Sequence, residues 1–368
     1  MKTNTAYVGW AFGRTLDRSL RRAAFSLVEL LTVIFIISLL IAILIPSLNG
    51  ARNAAKKTST GANINAIKVA LETFRTDNER DFPQTHGYPP SFAHPKIGSY
   101  AFSAFQGEFP FLSGNPVVYG AHWLPAMLLG RDGFGYINRS SVPEVGTLRN
   151  DPDKWYQPVP PGLTRMIDRQ PLYMDIANLK LVPTYELGGS RNDEFFQNWT
   201  WTPNPGDNMI EPSELPVITD PFGQPILYYA ANNNGRITNM LEDERNVAGV
   251  YGQGGPPVYF HQDNRGFTGT GNTLTDRGWD FTGQHTIAFS GAMATAVDGP
   301  GGIEEMNMGE TFAKYILDKK AFRALAPRAK NSPLRPMNPD SYLLISGGVD
   351  GRYGTRDDVT NFPLGSEN

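Results

Sequence analysis

Three carboxylates fall within nine residues of one another near the end of this 368-residue chain: Asp350, Asp357 and Asp358. The segment Tyr342–Val359 runs from a strand-like Tyr-Leu-Leu-Ile-Ser into a Gly-rich loop that returns to the adjacent aspartates. Carboxylates held this close repel one another unless a cation sits between them. Calcium takes about six to eight oxygens at roughly 2.3–2.6 Å and tolerates irregular loops, and glycines free backbone carbonyls to join the carboxylates. The Asp-x-Asp-x-Asp-Gly spacing and terminal Glu of an EF-hand are missing. The competing reading is a solvated acidic loop, with Arg352 and Arg356 as partial counter-charges.

A fourth acid stands in a different setting. Between Phe25 and Ile45 the only charged residue is Glu29. As a helix this run extends roughly 31 Å, about one hydrocarbon core. A carboxylate inside an apolar helix costs about 2.5–3.5 kcal/mol on insertion scales, so it calls for a partner. The alternative is an interfacial Glu that snorkels to the headgroups beside an uncleaved anchor.

Other chemistry finds little support. The five His residues, at 86, 94, 122, 261 and 285, show no metal-ligand spacing. Ser290 lacks the glycine two residues before it that a nucleophile elbow uses. Gly269-Thr270-Gly271 has no third glycine. Asp151 with Asp153, and Asp276 with Asp280, read as turn residues. The scattered Trp123, Trp155, Trp199, Trp201 and Trp279 read as core residues rather than a carbohydrate platform. The expectation is a protein that is not an enzyme. A net charge of -3, from 33 Lys+Arg against 36 Asp+Glu, leaves no basic footprint for nucleic acid. With no Cys there is no disulfide or thiolate site, and with 11% aromatic residues wholesale disorder is excluded.

The elements that must carry these residues separate by composition. Residues 1–24 form a leader with Lys2, Arg14, Arg18, Arg21 and Arg22 against the single acid Asp17. The apolar run closes at Pro46. Beyond it, Ile64, Ile67, Leu71 and Phe74 are spaced by three, four and three, which puts an apolar stripe on one helix face. No strong stop precedes Asn78, so one long helix is expected, half in lipid and half outside. Five basic residues before the apolar run against Arg52, Lys56 and Lys57 after it favour a cytoplasmic N-terminus.

Past Phe82-Pro83 the texture changes to short apolar runs broken by Pro and Gly. Strands are expected at Val117–Tyr119, Val217–Thr219, Ile226–Ala230, Val258–His261, Thr286–Ser290 and Tyr342–Ser346. A further helix is expected over Ile303–Leu325.

The segment Arg21-Arg22-Ala23-Ala24-Phe25-Ser26-Leu27-Val28-Glu29 resembles the prepilin-type cleavage and methylation signal of type IV pilins and of type II secretion pseudopilins. The resemblance implies that a prepilin peptidase cuts between Ala24 and Phe25 and methylates the new amine of Phe25. The most frequent family residue before the cut is Gly, from which Ala24 departs. Glu29 then becomes the fifth mature residue, with the Phe25 ammonium of a neighbouring subunit as its counter-ion. The stem Ile67–Pro83, closing in Asp77-Asn78 and Phe82-Pro83, is similar to that of the major pseudopilin, protein G. Asp220-Pro221-Phe222-Gly223 before Ile226–Tyr229 is similar to the family's turn leading into a strand. The C-terminal loop is similar to the family's calcium loop, whose ligands carry over onto Asp350, Asp357 and Asp358, with Gly347 as a backbone donor. Residues 84–214 and 230–339 have no recognised counterpart, and the chain is longer than a usual major pseudopilin.

The expected fold is α+β and pilin-like: a long N-terminal helix, transmembrane then amphipathic, packed on an antiparallel sheet with large loop-rich insertions and a C-terminal calcium loop. The expected divisions are leader 1–24, transmembrane and polymerisation helix 25–46, amphipathic stem 47–82 and exported globular domain 83–368. The resemblance implies a structural subunit of a pseudopilus in a type II secretion-like system. Its implied partners are prepilin peptidase, other pilin-like subunits in a homopolymer, and an inner-membrane secretion platform with its ATPase. It would lie single-pass in the inner membrane, with the C-terminal domain outside, and then in a periplasmic pseudopilus. Two alternatives remain open: a type IV pilus or minor tip pilin that binds a surface or cargo, and a membrane-anchored exported enzyme or carbohydrate-binding protein.

Overall fold

The computed structural model describes residues 27–91, 119–130, 133–138, 141–146, 148, 160, 162–175, 179–183, 187, 216–233, 235, 258–259, 261–268, 312–318, 320 and 336–364. The chain divides into two compact units, Met1–Arg52 and Asn53–Asn368. Helix α1 spans Leu27–Asn78 without interruption. Pro46 lies inside it, where the missing N–H removes one rung of the helical ladder.

In the first unit every described residue up to Gly50 is exposed. The helix here is long and apolar enough to cross a membrane. Its small polar side chains turn inward: the Thr32 hydroxyl donates to the Glu29 carbonyl (2.9 Å) and Ser38 to that of Ile34 (2.7 Å). Such back-bonding satisfies these two hydroxyls without water.

In the second unit the stripe read from the sequence becomes core. Ile64, Ile67, Leu71 and Phe74 are all buried. The helix ends where buried Asn78 donates through Nδ2 to the Phe74 carbonyl (2.9 Å) and to the Tyr173 hydroxyl (3.0 Å). The Asn78 carbonyl meanwhile accepts from the Asp81 amide (3.0 Å). A short 3₁₀ turn, Pro83–Thr85, follows.

Helix α2 (Gly120–Leu128) is buried at all nine positions. Strands β1 (Lys180–Pro183) and β2 (Pro216–Thr219) pair antiparallel. Strands β3 (Leu227–Ala230), β4 (Tyr342–Ser346) and β5 (Val359–Thr360) form a second antiparallel sheet in that order. The described residues are thus α+β with small antiparallel sheets.

Register explains why β3 and β4 are apolar at nearly every position. Tyr228 pairs with Leu344 and Ala230 with Tyr342, and these residues face Ile64, Leu71 and Phe74 of α1 together with Trp123 and Met127 of α2 in one core. Leu227 pairs with Ile345 and Tyr229 with Leu343, and these belong to a second core with Tyr119, Phe267 and Phe312. Alternate side chains point to opposite faces, so a strand buried on both faces must be apolar throughout.

The free edge of β3 is closed by side chains. Asn264 Nδ2 donates to the Tyr228 carbonyl (2.8 Å), and the Ala230 amide donates to Ser91 Oγ (2.9 Å). Asn264 Oδ1 also accepts from the Ala121 amide (2.9 Å), which ties α2 to the same edge. The approach is close: a Cβ at Gly120 would stand 2.0 Å from the Tyr228 carbonyl oxygen. Only glycine fits there.

Three expectations are corrected. Tyr119 opens α2 instead of closing a strand, its carbonyl accepting from His122 (2.9 Å) and Trp123 (3.1 Å). Val258 and Tyr259 form a bend, and His261 begins a 3₁₀ turn (His261–Asn264) that leads into α3 (Arg265–Thr268). Pro256 and Pro257 bring no N–H to a ladder at that point. Among the described residues of the expected Ile303–Leu325 helix, α4 (Phe312–Tyr315) is followed by a break where Leu317 bridges Pro336, and Lys320 is helical again. Thr286–Ser290 and most of Ile303–Leu325 lie outside the described residues.

One buried group makes the fold sensitive to acid. His122 accepts the Tyr119 amide at Nδ1 (3.0 Å), and burial pulls its pKa down to about 3. The unfolded chain takes up that proton near pH 6.5, so the fold loses stability as pH drops from about 6.5 toward 3. Denaturant unfolding across this range should show a shallower acid arm for His122→Asn, which keeps an acceptor but cannot charge.

Candidate functional site

The acidic loop is the hairpin connection between β4 and β5. Ile345 pairs with Thr360 and Ser346 with Val359, so the chain leaves and re-enters the sheet at adjacent positions. This register brings the three aspartates read from the sequence into one loop. Gly348 turns it with φ 62°, and a Cβ there would stand 2.7 Å from Asp357 Oδ2. The loop wraps its own carboxylate too closely for a side chain.

Each carboxylate is held by named donors. Asp357 Oδ2 accepts the amides of Val349 (2.6 Å) and Asp350 (3.0 Å). Asp350 Oδ1 accepts the Arg352 amide (2.8 Å). Asp358 Oδ2 accepts the Gly354 amide (2.8 Å) and the Tyr315 hydroxyl of α4 (2.5 Å). One oxygen of each meets at Thr355. Its Oγ1 lies 2.6 Å from Asp357 Oδ1, 3.2 Å from Asp358 Oδ1, 3.4 Å from Asp350 Oδ1 and 3.2 Å from the Arg352 carbonyl. A threonine hydroxyl has one proton, so it can donate to only one of these four acceptors at a time.

Electrostatics differ along the loop. Burial pushes Asp358 up to about 7, against the pull of the Tyr315 hydroxyl and the Gly354 amide. Asp350 is raised by burial and by the charge of Asp357, although the Arg352 amide opposes the shift. At Asp357 burial raises the pKa, but the Thr355 hydroxyl and the amides of Asp350 and Val349 outweigh it and the net shift is downward. One carboxylate is therefore reluctant to ionise beside one that ionises readily.

Among the described residues no three carboxylate, imidazole or thiol groups close around a common point as a ligand shell. The donor set is nonetheless all oxygen, which suits a hard cation such as calcium and suits a soft metal poorly. A bound cation would relieve both the crowding at Thr355 and the reluctance of Asp358. Gly347 is buried at the start of the loop.

Thr355 and Tyr315 were not among the residues singled out from the sequence. Thr355 carries a local signal, a hydroxyl between the aspartates. Tyr315 carries none, since only folding brings it to a residue 43 positions away.

The processing residues Ala24 and Phe25 lie outside the described residues. Glu29 sits in the first turn of α1. Of the histidines, His86 holds a left-handed turn (φ 55°), His122 is core and His261 opens a 3₁₀ turn, while 94 and 285 lie outside the described residues, as do Ser290, residues 269–271, 151, 153, 276 and 280. Trp123 is core. Compared with known proteins, the chain matches no family model, no curated protein and no solved structure.

The raised Asp358 has a sign that can be checked in calcium-free buffer. The fold favours its neutral form, so that contribution is complete below about pH 4 and fades as pH rises through about 7. The charge of Asp357, the Gly354 amide and the hydroxyls of Tyr315 and Thr355 are the groups that act on it. Thermal melts of Asp358→Asn should lose less stability between pH 4 and 7 than melts of the unaltered chain.

Proposed function

We propose that this chain is a prepilin-like subunit that polymerises through its N-terminal helix into a pseudopilus of a type II secretion-like machine. The observation that carries the reading is the division of α1. One continuous helix begins with an exposed apolar stretch and ends as a buried stem, with a single acid in its first turn. A lone apolar anchor needs no Glu29, whereas a bundle of staggered helices can pair it with a neighbour's terminal ammonium and so set register. The amine of Phe25, with a reference pKa of about 7.7–8.0, is mostly charged at neutral pH.

The work of such a subunit is assembly, not bond chemistry. Prepilin peptidase would remove residues 1–24 on the cytoplasmic side, and an ATPase-driven platform would draw subunits from the inner membrane into a periplasmic filament. Asp350, Asp357 and Asp358 would hold calcium, with the Gly347 carbonyl as a backbone donor. The ion would neutralise the loop and staple a domain that has no Cys to do so. A type IV pilus subunit or minor tip pilin, whose outer domain binds a surface or cargo, would use the same N-terminal helix and processing step.

Mass spectrometry of the protein extracted from its native membrane tests the first step. The expected N-terminus is methylated Phe25; a chain that retains its leader would overturn the reading. Glu29→Ala is expected to remain in the membrane and to be lost from sheared filaments. Normal filament yield from that variant would remove the role given to the carboxylate.

A further inference from the structure

We infer that the turn Asp220–Pro225 is the template that shapes the Asp350 limb of the acidic loop for its cation, with Asp220 and Tyr353 as positioning residues. This inference rests on the calcium reading above. The sequence presents the two segments as separate islands more than a hundred residues apart, and the fold joins them at three points.

The first point is a buried acid whose two oxygens are taken up by hydrogen bonds. Asp220 is fully buried. Its Oδ1 accepts the amides of Phe222 (2.9 Å) and Gln224 (2.9 Å), which fixes the turn itself. Its Oδ2 accepts the hydroxyl of Ser346 (2.5 Å), the last residue of β4 and the one just before Gly347. The second point is Tyr353, whose ring is fully buried and whose hydroxyl donates to the Pro225 carbonyl (2.6 Å). The third is Gly351, with φ 72°, where a Cβ would lie 3.1 Å from Gln224 Nε2.

These contacts fall at 346, 351 and 353, on both sides of Asp350. The return limb is held by other means: Asp357 by the amides of Val349 and Asp350, and Asp358 by Gly354 and Tyr315. Asp350 itself is exposed on a limb that contains Gly347, Gly348 and Gly351. Glycine-rich backbone loses the most conformational freedom when it is ordered. A turn that orders this limb before the ion arrives removes that cost from binding, and the gain appears as affinity. Outer-shell partners that orient ligands typically contribute about 10–100-fold to metal affinity.

A purely structural turn would stabilise the domain without changing calcium affinity, and calorimetric titration separates the two. The full chain in detergent micelles is titrated with calcium chloride, as the unaltered protein and as Asp220→Ala, Asp220→Asn, Tyr353→Phe and Met127→Ala. Asp220→Ala and Tyr353→Phe are expected to bind calcium about 10–100-fold more weakly. Asp220→Asn keeps an acceptor for the turn amides and a polar group for Ser346, and is expected to restore binding close to that of the unaltered chain. Met127→Ala, in the core far along the chain from the loop, is expected to lower the Tm and leave Kd unchanged. If Asp220→Ala does not fold, Tyr353→Phe decides. Tyr353→Phe binding as tightly as Met127→Ala would overturn the template while leaving the calcium reading intact. An unaltered chain that takes up no calcium would overturn both.

Discussion

A sheet with no face left for water governs the rest of this domain. Strands β3 and β4 are buried on both sides, between the α1–α2 core and the core built around Phe267 and Phe312. Every backbone group at the edges and ends of that sheet must then find a protein partner, since an unpaired one costs about 1–3 kcal/mol. The partners come from distant segments. Asn264 and Ser91 close the edge of β3, and Ser91 in turn donates to Asp263 (2.5 Å). Asp220 closes the end of β4 through Ser346. These polar side chains are as buried as the aromatic rings beside them.

The acidic loop inherits its position from the same constraint. It hangs from the ends of β4 and β5, whose pairing places Ser346 opposite Val359 and so brings Asp350 near Asp357 and Asp358. The turn after β2 braces one side of it and α4 the other. A loop held between two buried cores can keep like charges close, at the cost of raising Asp358 toward neutrality. Proposed as a cation site, it needs no new framework, only the charge that the carboxylates lack.

Helix α1 divides its length between two environments. Its stem is held by Phe74, which stacks edge-on against Tyr173 (5.2 Å between centroids) and tilts against Phe82 (5.5 Å). Up to Ile45 its first half offers apolar side chains, the internally bonded hydroxyls of Thr32 and Ser38, and the single acid Glu29. Helix propensity alone does not choose where such a helix goes; the residues along each half do. A membrane or a bundle of like helices satisfies the first half, and the proposed polymer uses both in turn.

Local pattern made several elements legible. The three-and-four spacing from Ile64 to Phe74, the apolar runs of β2, β3 and β4, and the Asp220 turn all carry their structure in neighbouring residues, and the structure places each where the pattern puts it. Helix α2 was not legible, because a helix buried on every side has no polar face and therefore no 3.6-residue period. The short α4 was misread for the opposite reason: its periodic pattern continues past Tyr315, but the bridge from Leu317 to Pro336 draws the backbone away. The sequence by itself determined the exposed apolar length of α1, the single acid within it and the company of Asp350, Asp357 and Asp358. Tertiary structure alone decided that Tyr315 faces those aspartates and that the Asp220 turn lies beneath them, because contacts across such separations are set by strand register and packing, which no local window contains.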